Sequence, residues 1–308
     1  MVFEREKEMI DGPNFFIIGA PKCGTTALAE YLKEHPHVFI STPKEPHYFA
    51  SDMISHRAID NANDYFALFA NVEKQHMAIG EASVWYLYSE TALKNIYLYN
   101  KKAKLIVMLR KPVEMIYSLH SQQYFSLQED IKDFEKAWDI EPLRKQGGFI
   151  PKSVYHIPNL FYSEIAKYYT QLIRVFKYFP RNQVKIIIFD DFIKKTSEVY
   201  LEIQKFLDLP IHNKQSFPVI NQNKDLKYEF LRKTTGIIFQ HKESIYKIKK
   251  KLGLKQIGIS RLIYRCNSLE RKRPPLHPFV RQKVIASYKD EVNRLAELIN
   301  RDLSHWNT

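Results

Sequence analysis

Short blocks of consecutive apolar residues alternate along the chain with stretches of helical periodicity. Phe15-Phe16-Ile17-Ile18, Val38-Phe39-Ile40, Met77-Ala78-Ile79-Gly80-Glu81, Lys104-Leu105-Ile106-Val107-Met108-Leu109 and Val184-Lys185-Ile186-Ile187-Ile188-Phe189 read as strands buried on both faces. After the first block, Ala27, Leu28, Tyr31 and Leu32 recur at helical spacing, and His35-Pro36 ends that helix because the residue before proline avoids the α region. Further helices are predicted at 61–69, from Pro112 onward, at 131–138, within 153–179 as one long amphipathic helix, at 196–207 with Thr196 as its cap, and at 279–303. Strands alternating with helices predict an α/β fold of three layers, a central parallel sheet flanked by helices, as one domain over 1–308. Residues 213–273 are basic and poorly periodic, and read as a helical insertion or lid.

In such a sheet the functional loops lie at the carboxyl ends of the strands. Lys22, Glu45, Glu81 and Arg110 each follow or end a predicted strand, so one sheet edge gathers them. The first loop, Gly19-Ala20-Pro21-Lys22-Cys23-Gly24, leads into a helix opening with Thr25 and Thr26. Strand, glycine-bounded loop and helix N-terminus make an anion site, because backbone N–H groups converge there and the helix dipole favours negative charge. Lys22 adds a charge and the threonines add hydroxyl donors, so the expected ligand is a phosphate or phosphosulfate group. The loop differs from G-x-x-x-x-G-K-[ST], since Thr25 stands where that motif has lysine. Arg110, at the end of the fourth strand, suits bidentate phosphate binding, and Ser118 lies two helical turns further on.

The composition adjusts this picture in three ways. The 308 residues hold 47 Lys+Arg against 34 Asp+Glu, a formal charge of +13, which suits an anionic ligand without selecting one. Two distant cysteines, Cys23 and Cys266, make no disulfide framework and point to a reducing, cytoplasmic setting. The charged first residues lack an apolar signal core, and no stretch of eighteen apolar residues reads as a membrane span. Nucleic-acid binding is disfavoured, because the lysines are dispersed and neither zinc-finger spacing nor a basic heptad helix occurs.

The apolar strand followed by Pro21-Lys22-Cys23-Gly24-Thr25-Thr26 resembles the 5′-phosphosulfate loop of sulfotransferases that use 3′-phosphoadenosine 5′-phosphosulfate (PAPS). Arg110-Lys111-Pro112 with Ser118 resembles their 3′-phosphate site, with Lys111 where the family has Asp or Asn. The branch most like this chain is that of heparan-sulfate-type sulfotransferases and their bacterial small-molecule relatives. Its K/N-E-x-H-F/Y-F turn corresponds to Lys44-Glu45-Pro46-His47-Tyr48-Phe49, which implies Glu45 as general base, with His47 as assistant or alternative base. Taken alone, Glu45 is a glutamate in a polar turn. The branch's G/E-K-T-P motif meets Gly80-Glu81-Ala82-Ser83, so its lysine is replaced by Ala82, which disfavours a polyanionic polysaccharide. Glu81, Ser83 and Trp85 are the candidate acceptor contacts, although Trp85-Tyr86-Tyr88 suits a core as well as a pocket. Arg271-Lys272-Arg273-Pro274-Pro275 loosely matches the branch's K-G-R-x-x-P, which implies Lys272 and Arg273 at the cofactor phosphates.

The resemblance therefore implies a PAPS-dependent sulfotransferase with a P-loop-like fold. Lys22, Cys23, Gly24, Thr25, Thr26, Arg110, Ser118, Lys272 and Arg273 would hold the cofactor, the acceptor would be a small molecule, and adenosine 3′,5′-bisphosphate would be the product. No metal is required by this chemistry, and Arg110 stands where a nucleotide kinase would carry a Mg²⁺-holding aspartate. Two rivals are a nucleotide or small-molecule kinase with an altered phosphate loop and a basic nucleic-acid-binding protein.

Overall fold

The computed structural model describes residues 12–220, 224–226, 268–270 and 273–308. Its contacts divide the chain into two compact units, Met1–Ile116 with Glu164–Asn221 and Arg281–Thr308, and Tyr117–Ser163 with Gln222–Val280.

The first unit is built on five parallel strands, β1 (Phe15–Gly19), β2 (Val38–Ile40), β3 (Ala78–Ala82), β4 (Lys104–Leu109) and β5 (Val184–Ile188), in the order β2-β3-β1-β4-β5. Every residue of β1 and β3 is buried, as the apolar blocks predict for strands covered on both faces. Gly80 is required at the centre of β3, because a Cβ there would come within 2.2 Å of the Phe15 ring on neighbouring β1. The flanking helices are α1 (Thr25–Lys33), α2 (Ala62–Ala67), α3 (Ala92–Tyr99), the start of α4 (Pro112–Phe125), and, in the second half, α8 (Tyr168–Tyr178), α9 (Phe189–Lys194), α10 (Thr196–Phe206) and α11 (Pro278–Ile299). The expected three-layer α/β arrangement is present. After α1, the His35 ring holds the turn before β2, with Nδ1 accepting from the His37 N–H at 3.1 Å and Nε2 meeting the Pro210 carbonyl at 2.9 Å.

Several local expectations need correction. The long helix expected within 153–179 is broken into a 3₁₀ turn at Ile157–Leu160, a single turn α7 (Tyr162–Ile165) and the eleven-residue α8. The Gln171 amide donates to the Ile165 carbonyl at 3.0 Å, giving that buried helix end a side-chain partner in place of a continuing helix. Phe189 opens α9 instead of closing β5. Thr196 does not cap α10, because its hydroxyl donates to the Phe192 carbonyl at 2.7 Å. The sequence reading also missed α3. Of the basic segment 213–273, most lies outside the described residues. Its described parts include two short antiparallel strands, β6 (Lys224–Leu226) and β7 (Ser268–Glu270).

The second unit contains the remainder of α4, α5 (Phe134–Asp139) and α6 (Glu141–Lys145). Asp133 caps α5, accepting from the Lys136 N–H at 3.0 Å. The interior of this unit carries an ion pair in which Arg144 and Glu129 meet through two 2.6 Å contacts, with both side chains 0% exposed. Tyr162 adds a hydroxyl donor to Glu129 at 2.9 Å, and the Asp130 and Ile131 N–H groups donate to its other oxygen, both at 2.9 Å. Removing one partner of such a pair leaves a buried, uncompensated charge. Arg144→Met is therefore expected to lower stability by about 3–5 kcal/mol. The check is a urea titration against wild type, and a midpoint within error of wild type would contradict it.

Candidate active site

The first loop follows from how β1 ends. The register of β1 against β4 shifts between Ile17 and Gly19, and the Ala20 N–H then donates to the Met108 carbonyl at 2.7 Å. Gly19 sits at φ 153, where a Cβ would stand 2.8 Å from Leu87 Cβ and 2.9 Å from the Val84 carbonyl oxygen. Lys22 is left-handed at φ 60, a conformation in which non-glycine residues concentrate at functional sites. Gly24, at φ 87 and ψ 8, is the N-cap of α1. No side chain caps that end and no acidic residue lies in its first turn. Among the described residues this end of α1 therefore has no capping side chain, and it lies at the positive end of the helix dipole. Thr25 is buried, whereas Lys22 and Thr26 are half-buried. Burial pushes the Cys23 thiol up to about 12, despite the nearby Arg110 charge. Cys23 therefore remains a thiol, donating to the Pro21 carbonyl at 3.3 Å, and can meet an anion only through its backbone.

Arg110 closes the other side of this loop. Its guanidinium lies over the Phe189 ring at 4.8 Å, and Nη1 donates to the Lys22 carbonyl at 3.3 Å. The neighbouring Lys111 ammonium is directed away, to the His305 carbonyl at 2.9 Å, and burial lowers its pKa.

The Lys44–Phe49 turn stands at the end of β3. The Glu45 N–H donates to the Ala82 carbonyl at 3.0 Å, and the His47 N–H to Ser83 Oγ at 3.1 Å. Glu45 and His47 are both left-handed, at φ 64 and 51. Glu45 Oε1 accepts from Lys44 Nζ at 2.6 Å, and Oε2 lies 3.5 Å from His47 Nε2. Burial alone would raise the Glu45 pKa, but the His47 hydrogen bond and the Lys44 charge prevail and hold it at about 2. The carboxylate is ionised at neutral pH, as the sequence suggests, but it is held more tightly than an ordinary glutamate.

A family model described as the sulfotransferase domain matches residues 12–262. The chain belongs to the sulfotransferase family. A sulfotransferase from Alicyclobacillus acidocaldarius, known from its crystal structure, superposes with a TM-score of 0.69 at 25% identity, covering 96% of this chain and 99% of that one. The membrane-associated sulfotransferase kil1 of Dictyostelium discoideum is 37% identical over 40% of this chain and 25% of its own length. The bifunctional heparan sulfate N-deacetylase/N-sulfotransferase 3 of Mus musculus is 26% identical over 97% of this chain and 31% of its own length. The chain thus spans about a quarter to a third of these two relatives. Among the described residues, no helix of this sulfotransferase is long and apolar enough to cross a membrane.

The remaining candidate residues of the sulfotransferase fall in two places. In the second unit, Arg273 Nη2 donates to Ser118 Oγ at 3.1 Å, and its guanidinium lies over the Tyr117 ring at 5.0 Å. The structure thus pairs two residues 155 positions apart that the sequence reading had placed at a phosphate. Lys272 lies outside the described residues. In the first unit, Glu81, Ser83 and Trp85 are buried, at 1%, 0% and 6% exposure. Trp85 packs against the His56 ring at 5.0 Å, and His56 lies 5.7 Å from His47. Sequence reasoning missed His56 and Phe189. Phe189 carried a signal as the residue directly after an apolar block, whereas nothing in the sequence ties His56 to Trp85.

The sign of the Glu45 shift gives a test. Its folded pKa lies below the ordinary value, so the pairing contributes stability above that value and loses it as pH falls from 4.5 to about 2. His47→Asn removes part of the pairing. It should shrink the difference between urea midpoints measured at those two pH values, and an unchanged difference would contradict the Glu45–His47 contact.

Proposed function

We propose that this sulfotransferase moves the sulfuryl group of PAPS to a hydroxyl or amine of a small-molecule acceptor, in a cytoplasmic setting, with residues 1–308 acting as one domain. The observation that carries the reading is the uncapped, glycine-led N-terminus of α1, with Lys22 in its loop and Arg110 donating to the Lys22 carbonyl. That end has N–H donors, adjacent cations and no carboxylate in its first turn, a donor set that fits a phosphosulfate. Lys22, Thr25, Thr26 and the backbone of Cys23 and Gly24 would hold the 5′ group, and Arg110 a further phosphate oxygen. Ser118, Lys272 and Arg273 remain proposed phosphate ligands. Bound there, PAPS supplies the sulfuryl group and leaves as adenosine 3′,5′-bisphosphate.

The protein's own part is electrostatic and positional. Lys22 and the loop N–H groups neutralise charge growing on the departing phosphate. The acceptor would stand before Glu45, which takes its proton as the new bond to sulfur forms. Fixed cations serve this charge without a metal. An acceptor smaller and less anionic than the heparan sulfate named for one relative is supported by Ala82, where the resembling motif carries lysine. A second reading of the base rests on one observation. Among the described residues His47 Nδ1 is buried without a hydrogen-bond partner, while Nε2 faces Glu45. With its proton on Nε2, His47 would itself be the base and Glu45 its orienting carboxylate.

Calorimetry and thermal shift test the cofactor. Adenosine 3′,5′-bisphosphate should raise the melting temperature far more than AMP or ATP, and Arg110→Ala should weaken its binding by roughly 1.5–3 kcal/mol. Equal shifts for all three nucleotides, or Mg²⁺-dependent ATP turnover, would favour the kinase reading instead. A salt-sensitive shift with DNA or RNA at physiological ionic strength would favour the nucleic-acid reading.

Acceptor screening with radiolabelled PAPS then tests the base. Glu45→Gln should keep nucleotide affinity and lower turnover by about 10²–10⁴. Wild-type turnover in Glu45→Gln with an inactive His47→Asn would assign the base to His47. Full activity in both would remove the turn from catalysis.

A further inference from the structure

The Lys44–Phe49 turn is docked through alternate amides. The N–H groups of Glu45, His47 and Phe49 donate in turn to the Ala82 carbonyl at 3.0 Å, Ser83 Oγ at 3.1 Å and Tyr86 Oη at 3.2 Å. All three acceptors lie at or just beyond the end of β3. Tyr86 Oη accepts from Phe49 and donates its own proton to Glu81 Oε2 at 2.9 Å. Tyr65 donates to the same oxygen at 2.8 Å. The Tyr65 ring in turn stacks on Tyr48 with centroids 4.3 Å apart, and meets Phe49 edge-on at 5.3 Å. Glu81 is therefore a buried hub under the turn, reaching Phe49 through Tyr86 and Tyr48 through Tyr65. Both tyrosine hydroxyls are aimed at Oε2, Oε1 has no hydrogen-bond partner among the described residues, and at 1% exposure the carboxylate is closed off from an acceptor by the groups packed over it.

We infer that Glu81, Ser83 and Tyr86 are positioning residues for the Glu45–His47 pair, and not contacts to the acceptor. The inference rests on the proposed role of that pair. Two left-handed residues in one turn are a costly backbone arrangement, which persists only where surrounding bonds over-determine it. The three docked amides supply those bonds. The charged and titratable groups facing the pair are Lys44 at Glu45, the His56 ring at His47, and Glu81 beneath, whose pKa is raised by burial against the opposing effect of Ser83, Tyr65 and Tyr86. If the turn relaxes, His47 moves off Glu45 and the carboxylate loses its first stabilising partner.

The test needs no acceptor. The side-chain carboxyl of Glu45 is titrated by carbon-13 NMR in selectively labelled full-length protein, with the signal assigned by its loss in Glu45→Gln. Adenosine 3′,5′-bisphosphate affinity is measured by calorimetry on the same samples. In wild type the carboxyl should titrate at about 2. In Ser83→Ala it should move up toward the ordinary glutamate value near 4.3, with nucleotide affinity within about twofold of wild type. Ser83→Thr, which keeps the hydroxyl, should restore the low value. Glu81→Gln should shift Glu45 in the same direction, and amide exchange at Phe49 should quicken in Tyr86→Phe. With the acceptor found by screening, Ser83→Ala should lose about 10²-fold in kcat with KM for PAPS unchanged, as expected for misplacement near the reacting atoms. An unmoved Glu45 titration in Ser83→Ala would overturn the inference, even if wild type binds the nucleotide. An equal loss of nucleotide affinity in every variant would overturn it too, since that marks general damage. Failure of wild type to bind the nucleotide would overturn the proposed function together with this inference.

Discussion

The central placement of β1 is the constraint from which the rest of the first unit follows. β1 bonds to β3 on one side and to β4 on the other, and all its residues are buried. Parallel pairing brings the carboxyl ends of these strands to one edge, so their following loops must open together. Backbone bonds continue beyond the strands, with the Ser83 and Leu87 N–H groups donating to the Ile17 and Ile18 carbonyls at 3.0 and 2.8 Å. The chain leaving β1 then follows Met108 through the Ala20 N–H, and the register shift before Gly19 directs the loop over the sheet edge toward α1.

Two different electrostatic solutions sit on that edge. At the α1 terminus, among the described residues, no side chain caps the helix and no acidic residue lies in its first turn, an arrangement that favours an anion. At the Lys44–Phe49 turn, a carboxylate is already paired with an ammonium and an imidazole. Its low pKa keeps that carboxylate ionised throughout the neutral range. The second unit solves a separate problem, burying Glu129 and Arg144 together with a tyrosine hydroxyl and two backbone donors to stabilise a small helical core.

The fold class and much of the candidate site were legible in the residues. Five apolar blocks identified five strands, because a parallel sheet covered on both faces admits little else. Gly19, Gly24 and Pro112 marked the turn, the cap and the first helical position, because each answers a local backbone demand. The loop with Lys22, Thr25 and Thr26, the strand-end Arg110 and the turn with Glu45 and His47 were all visible as short contiguous patterns. Boundaries failed where a side chain intervened, as Gln171 does at the broken helix and Thr196 does against Phe192.

Tertiary structure alone decided which groups face one another. Nothing in the spacing of Glu81, Tyr65 and Tyr86 shows that one carboxylate collects two tyrosine hydroxyls, since that depends on how α2 and the turn after β3 pack over the sheet. Glu81 and Ser83 entered as acceptor candidates through a motif match after a strand, and only the fold shows that both are buried and that Ser83 Oγ accepts the His47 N–H. Lys111 followed the same logic, a cation beside a phosphate site by sequence whose ammonium the fold turns toward His305. A sequence fixes residue type and local backbone preference through short-range sterics. Partner choice, desolvation and the resulting shift of a carboxylate to about 2 arise from groups brought together across the sheet edge, and only the folded chain determines them.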